Sequence, residues 1–123
     1  MTTVNYVVTI FYGLLSITPR FKHKAPDGVT LSQFTVINTL GVPVGPIQES
    51  EVNVNCYAND IDKQKGIPDV SAMETMQTSV YNSLHNVSNA EYAIEFQRSM
   101  LFREEGTGRH YMNLRFRIMF LNN

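Results

Sequence analysis

The end of the chain, from His110 to Leu121, alternates regularly between two kinds of residue. The residues of the first kind are all apolar: Met112, Leu114, Phe116, Ile118 and Phe120. The residues of the second kind are mixed: Tyr111, Asn113, Arg115, Arg117, Met119 and Leu121. A period of two over this length predicts an extended strand that lies across a core. Because the second face is partly apolar and carries two arginines, it is typical of a surface that contacts another subunit.

The size of the chain limits it to one folded unit. With 123 residues, of which 43% are hydrophobic, it is long enough for one packed core and too short for two. We therefore expect a single domain over residues 1–123. The formal net charge of −1 argues against a general nucleic-acid binder, because such a protein is normally strongly basic.

Charge is distributed unevenly along the chain. The middle is acidic, through Glu49, Glu51, Asp60, Asp62, Asp69 and Glu74. The end is basic, through Arg98, Arg103, Arg109, Arg115 and Arg117, and a second basic cluster near the start consists of Arg20, Lys22 and Lys24. Opposed patches on one small domain can steer identical copies together head to tail. An ordinary mixed surface is the alternative interpretation.

The single cysteine, Cys56, excludes an internal disulfide and a metal site built from cysteines. It shares one face of a strand-like run with Val52 and Val54, so we expect a small buried residue; a reactive thiol is the alternative. The N-terminus has no basic region before its apolar stretch, and no apolar run approaches transmembrane length. The sequence therefore predicts a soluble protein made in a reducing compartment.

Two segments have the apolar spacing of a helix. The first places Val4, Val7, Val8, Phe11, Leu14 and Leu15 on one face, and Pro19 prevents its extension. The second begins with Ser71-Ala72-Met73-Glu74, which fits a capping box, with Asp69 just upstream. Its buried stripe is predicted to contain Met73, Met76, Val80, Leu84 and Val87, and its end to lie at Asn86 or Asn89.

The remaining regular segments are predicted to be strands. A short extended segment around residues 20–25 precedes a turn at Pro26-Asp27-Gly28, and residues 33–40 and 49–58 form a hairpin with a connection stiffened by proline and glycine. Residues 93–103 form a further strand, with Ile94, Phe96, Met100 and Phe102 facing inward, followed by a turn at 104–108. The order α-β-β-β-α-β-β predicts an α+β fold, in which two helices pack on one face of an antiparallel sheet of four to five strands.

No group of residues points to catalysis, a cofactor or a metal. His23, His85 and His110 each lack a second ligand at metal-binding spacing, so each is predicted to be structural. Glu104 and Glu105 are adjacent and would point to opposite faces of a strand. The glycines around Thr107 join two strands rather than opening a helix, so they do not form a phosphate loop. We expect a protein that is not an enzyme.

Two stretches resemble a known family. The first runs from Glu51 to Ala58 (EVNVNCYA), where the family has a strand that ends in an aromatic and a small residue before a loop and a long helix. The second runs from Phe102 to Tyr111 (FREEGTGRHY), where the family has a glycine-containing hairpin before an arginine-bearing final strand. By these stretches and its order of elements, the chain resembles the tail-completion (tail-terminator) proteins of tailed bacteriophages. Residues 19–32 and 41–50 match no family pattern, so another ring protein of the neck is the alternative subtype.

The resemblance implies a structural protein of the virion, assembled in the cytoplasm of the bacterial host. Members of this family form a ring, commonly of six copies, at the head-proximal end of the tail. The implied partners are other copies of the chain, the tail tube protein and the neck or connector proteins, with no membrane. DNA would pass through the lumen without sequence-specific binding.

The charge pattern suggests how copies would meet in such a ring. The candidate interface residues are Glu49, Glu51, Asp60, Asp62, Arg103, Arg109, Arg115, Arg117, Met119 and Leu121. In this hypothesis the acidic residues of one copy face the arginines of the next, and the apolar side chains supply much of the affinity. The alternative function is a small nucleic-acid-binding module that uses the basic clusters, with Tyr57 and Tyr111 as candidates for base stacking on a sheet face.

Overall fold

The structure is a computed structural model that describes residues 3–39 and 49–121. The elements follow the predicted order: α1 (Val4–Leu14), β1 (Arg20–Lys22), β2 (Gln33–Thr39), β3 (Glu49–Asn59), α2 (Val70–Leu84), β4 (Tyr92–Glu104) and β5 (Arg109–Phe120). The predicted α+β class is confirmed. The predicted connection with Gly41, Pro43, Gly45 and Pro46 lies outside the described residues.

The five strands form one sheet in the order β1-β2-β3-β5-β4. The pairs β2–β3, β3–β5 and β4–β5 are antiparallel, whereas β1 runs parallel to β2. The sheet is therefore mixed rather than wholly antiparallel as predicted. Residues 23–32 carry the chain back along the length of the strands, so that β2 runs in the same direction as β1.

The core lies between one face of the sheet and the two helices. Of the alternating apolar residues of β5, Met112 is partly buried and the other four are buried there as predicted; Leu114 and Phe116 oppose Val54 and Val52 on the neighbouring strand. Helix α1 contributes Val7, Val8 and Phe11. Helix α2 contributes Met73, Met76, Val80 and Leu84 of the predicted stripe, but Val87 lies beyond the helix, so the predicted end at Asn86 or Asn89 is wrong. Burial of this apolar surface is the main favourable term that holds the layers together. None of the described helices is long and apolar enough to span a membrane.

Helix α2 begins earlier than its capping-box pattern predicts. The N-cap is Asp69, whose Oδ1 accepts a hydrogen bond from the Ala72 backbone N–H at 3.0 Å. Ser71 therefore lies inside the first turn, and the predicted capping box is wrong. An aspartate at this position satisfies a free N–H group and also complements the helix dipole, so it caps more strongly than Ser71 would. The helix ends at Leu84, and Asn86 follows with a positive φ of 60°.

The set of alternate β4 residues that points toward the core changes partway along the strand. Ile94 and Phe96 point toward the core as predicted, but the β4–β5 register shifts between Phe96 and Arg98. The extra residue of this β-bulge moves every later side chain to the opposite face. Met100 and Phe102 are consequently exposed on the far side of the sheet, and the prediction that they face inward is wrong.

Candidate assembly surface

The side of the sheet that faces away from both helices carries the residues that the sequence singled out. We call this side the open face. It is formed by alternate residues of all five strands, which on β5 are Arg109, Tyr111, Asn113, Arg115, Arg117 and Met119. Residues 23–29 overhang its β2 side and enclose a cleft of about 360 Å³ with Phe34 and Val36. Over β3, β5 and β4 no described element of the chain covers it.

One aromatic residue from each strand forms a continuous row across the open face. The row consists, in strand order, of Phe21, Phe34, Tyr57, Tyr111 and Phe102. The ring centroids are 6.2, 4.7, 4.8 and 5.3 Å apart along the row. The sequence pattern pointed only to the two tyrosines, because the other members join the row through strand register.

The rings of this row stand against one another rather than lying flat on the sheet. Phe34 and Tyr57 are nearly parallel, with an interplanar angle of 8°, and the Arg109 guanidinium lies 5.1 Å from the Phe34 centroid. Base stacking requires an accessible aromatic face. Phe34 is almost fully buried, and the interior rings use their faces on each other. The row therefore leaves ring faces free only at its two ends, at Phe21 and Phe102.

An amide network lies next to the aromatic row. The Asn113 side-chain amide donates to Asn55 Oδ1 at 2.7 Å and to Asn53 Oδ1 at 3.2 Å. The Asn53 amide in turn donates to Asn38 Oδ1, and Arg115 Nε donates to Asn53 Oδ1. These hydrogen bonds connect β2, β3 and β5 and include the ion-paired Arg115. The polar side chains in the middle of the open face therefore have hydrogen-bond partners within the chain, which hold them in place.

Three of the four arginines on the open face, Arg109, Arg115 and Arg117, pair with glutamates of the same chain. Arg117 lies 3.1 Å from Glu95 and 3.5 Å from Glu49. Arg115 lies 3.5 Å from Glu51, and Arg109 Nε donates to Glu104 at 2.8 Å. The hydrogen bond that Arg117 donates to Glu95 and the nearby negative charges raise the pKa of Arg117, so the pairing favours its charged form.

Charge on the open face is therefore balanced. It carries four arginines and four glutamates: Arg98, Arg109, Arg115, Arg117, Glu49, Glu51, Glu95 and Glu104. The formal charges of these eight groups cancel. The structure brings together within one chain several acidic and basic residues that the sequence hypothesis assigned to opposite sides of an interface.

The other predicted interface residues lie in three different places. Asp62 and Arg103 lie at the loop that follows β3, where Asp62 accepts from the Lys65 N–H and the Arg103 guanidinium lies against Gly66. Met119 is half-buried on the open face, opposite Glu49. Leu121 follows the end of β5 and is exposed. The predicted set is thus not one contiguous patch.

Asp60 forms a buried pair that the sequence did not reveal. Its Oδ1 lies 2.6 Å from Nδ1 of His110, and the two side chains are 1% and 10% exposed respectively. The two residues meet because Ala58, just before the end of β3, opposes His110 on β5. The only sequence signal is that both residues lie at ends of strands that the alternation predicts to be neighbours.

Cys56 is buried, as the sequence predicted. Burial raises the pKa of its thiol to about 12, against the opposing effect of a 4.0 Å contact with Thr35 Oγ1. A thiol with this pKa is almost wholly protonated at neutral pH, and the thiolate is the reactive form. Cys56 is therefore a core residue. Among the described residues, no three His, Cys, Asp or Glu side chains are placed to hold a metal ion.

Comparison of the chain with models of known protein families and with curated protein sequences gives no match in either case.

Proposed function

We propose that this protein is a structural subunit that assembles with copies of itself into a ring at the head-proximal end of a bacteriophage tail. The ring would terminate the tail tube and join it to the neck or connector, with DNA passing through its lumen. The observation that carries the proposal is the open face, a broad ordered surface that no described element covers over three of its five strands.

The chemistry of the open face supports contact with protein. Its centre is an ordered amide network, its charges are balanced, and its apolar contribution comes from side chains such as Met100 and Met119. Such a mosaic of polar and apolar groups is usual for protein interfaces. The amides are largely buried and exposed ion pairs contribute only about 0–1 kcal/mol each, so we expect apolar groups to supply most of the affinity between copies.

The ion pairs within the chain change the expectation that acidic residues of one copy face the arginines of the next. Arg115 and Arg117 do not need a neighbour's carboxylates, because Glu51, Glu49 and Glu95 already neutralise them. A neighbouring copy would meet a surface without net charge, and specificity would come from its shape. The loops at residues 26–28 and 59–68 are the candidates for contact with the tube and the connector.

The alternative, a nucleic-acid-binding module, receives less support from the same surface. Its open face has no excess positive charge, and the interior aromatic rings are stacked on one another. A protein that neutralises several phosphates loses affinity steeply as salt rises. A titration of double-stranded DNA binding against salt would favour this alternative if the slope were steep, and the ring proposal expects weak, sequence-blind association.

Electron microscopy of the purified protein, alone and mixed with tail tubes, tests the proposed function. We expect closed rings of the protein alone and a single ring seated at one end of each tube. Tubes grown in its presence should stop lengthening. Tubes grown without the protein give the length distribution of tubes that are not terminated. Failure to form rings together with failure to bind tube ends would overturn the proposal.

A further inference from the structure

Strand β4 forms one edge of the sheet, and only its first part is protected. The Ile94 N–H donates to the Val87 carbonyl at 2.9 Å, and Ser88 bridges to Ala93. The preceding segment of the chain therefore covers the outer edge near the start of β4. Beyond Phe96, no described backbone segment pairs with that edge.

The unprotected part of the edge, residues 98–104, has an apolar centre with charged residues toward both of its ends. Met100, Leu101 and Phe102 follow one another in β4 and are 43%, 43% and 39% exposed. Natural sheets usually shield an edge strand with charges, prolines, short length or a bulge, because free backbone groups invite pairing. The β4 bulge lies ahead of this segment rather than within it. Three exposed large side chains, on a strand whose outer backbone groups pair with no described segment, are typical of a strand that pairs with another strand.

We propose that residues 98–104 of β4 pair antiparallel with the same residues of a second copy, about a two-fold axis at Leu101. In this register Arg98 faces Glu104 of the other copy, and Met100 faces Phe102. Leu101 faces its own counterpart. The two sheets join into one sheet of ten strands, and the helices of both copies stay on the same side.

Charge and side-chain chemistry select this register. Arg98, Met100, Phe102 and Glu104 share the open face, so the pairing places opposite charges and apolar groups side by side on that face. Moving the axis to Met100 sets Arg98 against Phe102, and moving it to Phe102 sets Met100 against Glu104. The Arg98 side chain is exposed, and Glu104 already accepts a hydrogen bond from Arg109 of its own chain at 2.8 Å. Opposite charges facing each other across strands are stabilising, so Arg98 of the second copy would join this pair.

The aromatic row also favours a second copy of the chain at this edge. Phe102 is its last member and its outer ring face lies at the open edge, where Met100 of the second copy would sit. Contact between a thioether and an aromatic ring is favourable. The inference does not rest on the ring, because a two-fold contact joins copies only in pairs and ring closure needs a different contact.

Single cysteines along the edge test both the pairing and its register. Directly opposite residues have Cβ atoms about 4.5–5.5 Å apart, whereas diagonal neighbours are about 7–8 Å apart, too far for a disulfide without movement. We therefore expect Leu101→Cys to form a disulfide-linked pair of chains on mild oxidation. Met100→Cys and Phe102→Cys should crosslink much more slowly. Native Cys56 is fully buried and does not compete.

Leu31→Cys is the matched control, because Leu31 is 40% exposed and lies in the β1–β2 connection. It should remain a single chain on a non-reducing gel under the same conditions. The oligomeric state of two further variants, Leu101→Lys and Leu31→Lys, is compared by sedimentation. The edge lysine should abolish the two-copy contact and the control should preserve it. Crosslinking at position 101 that is no faster than at position 31, or that is slower than at 100 or 102, would overturn the proposal.

Discussion

Replacing Phe116 by alanine is expected to lower the free energy of unfolding by about 3–5 kcal/mol, because it empties a large space at the centre of the core. The Phe116 side chain is fully buried, and its ring centroid lies 5.4 Å from that of Phe96 and 6.0 Å from that of Phe11. It thus connects α1, β5 and β4. Urea unfolding followed by circular dichroism measures the change, at one fixed protein concentration because assembly itself adds stability.

Phe102→Ala is the control for this substitution, since it removes the same side chain from an exposed position. Both substitutions are compared in the Leu101→Lys background, which removes the proposed two-copy contact that involves Phe102. Its ring contacts Tyr111, and an aromatic pair is worth about 0.5–1.5 kcal/mol. The loss should therefore be much smaller than for Phe116→Ala. Equal losses at the two positions would contradict the division of the sheet into a core face and an open face.

Asp60→Ala is expected to cost about 1–3 kcal/mol of folding stability, because it leaves a buried imidazole without its hydrogen-bond partner. Asp60 and His110 are 2.6 Å apart and almost excluded from solvent. The pair also fixes the end of β3 against the start of β5, where the Asp60 N–H donates to the Gly108 carbonyl. The same urea measurement gives the change.

Asp60→Asn separates the hydrogen bond from the rest of the side chain. The amide oxygen still accepts from Nδ1 of His110, so this variant should retain most of the stability that Asp60→Ala loses. Asp27→Ala serves as a surface control, since Asp27 makes only an exposed pair with Lys24. If Asp60→Ala and Asp27→Ala had the same small effect, the buried pair would not contribute to the fold.

The spacing of apolar residues correctly predicted those elements in which the same set of alternate or helically spaced residues is buried from one end to the other. Strand β5 alternates without interruption, and the apolar stripe of α2 repeats regularly, so both were assigned to the correct side of the core. Strand β1 has three residues, which is too short for any period to reveal the direction of its pairing. In β4, one extra residue at Gln97 inverts the faces of Met100 and Phe102, and no local pattern distinguishes a bulged strand from a regular one.

Features of the candidate surface depend on register between distant segments. Asp60 and His110 are separated by 50 positions, and they meet only because β3 and β5 are aligned residue by residue. The same alignment places Tyr57 opposite Tyr111 and brings the arginines of β5 next to glutamates of β3 and β4. The sequence revealed that these side chains share a face but not which of them become partners.

The open face and the β4 edge leave the sheet of one copy incomplete in two different ways. The face presents balanced charged groups around a centre of buried amides, whereas the edge exposes backbone groups and three apolar side chains. A face-directed contact can be heterologous and close a ring, and an edge-directed contact about a two-fold axis joins two copies. The two surfaces are distinct, so substitutions in one need not disturb the other.

Light scattering of the native protein over a wide range of concentrations addresses self-association most directly. One chain has a mass of 14.0 kDa, and we expect a stable species of several chains whose mass does not fall on dilution through the micromolar range. A species of 14.0 kDa at every concentration would contradict the conclusion that other copies complete this sheet.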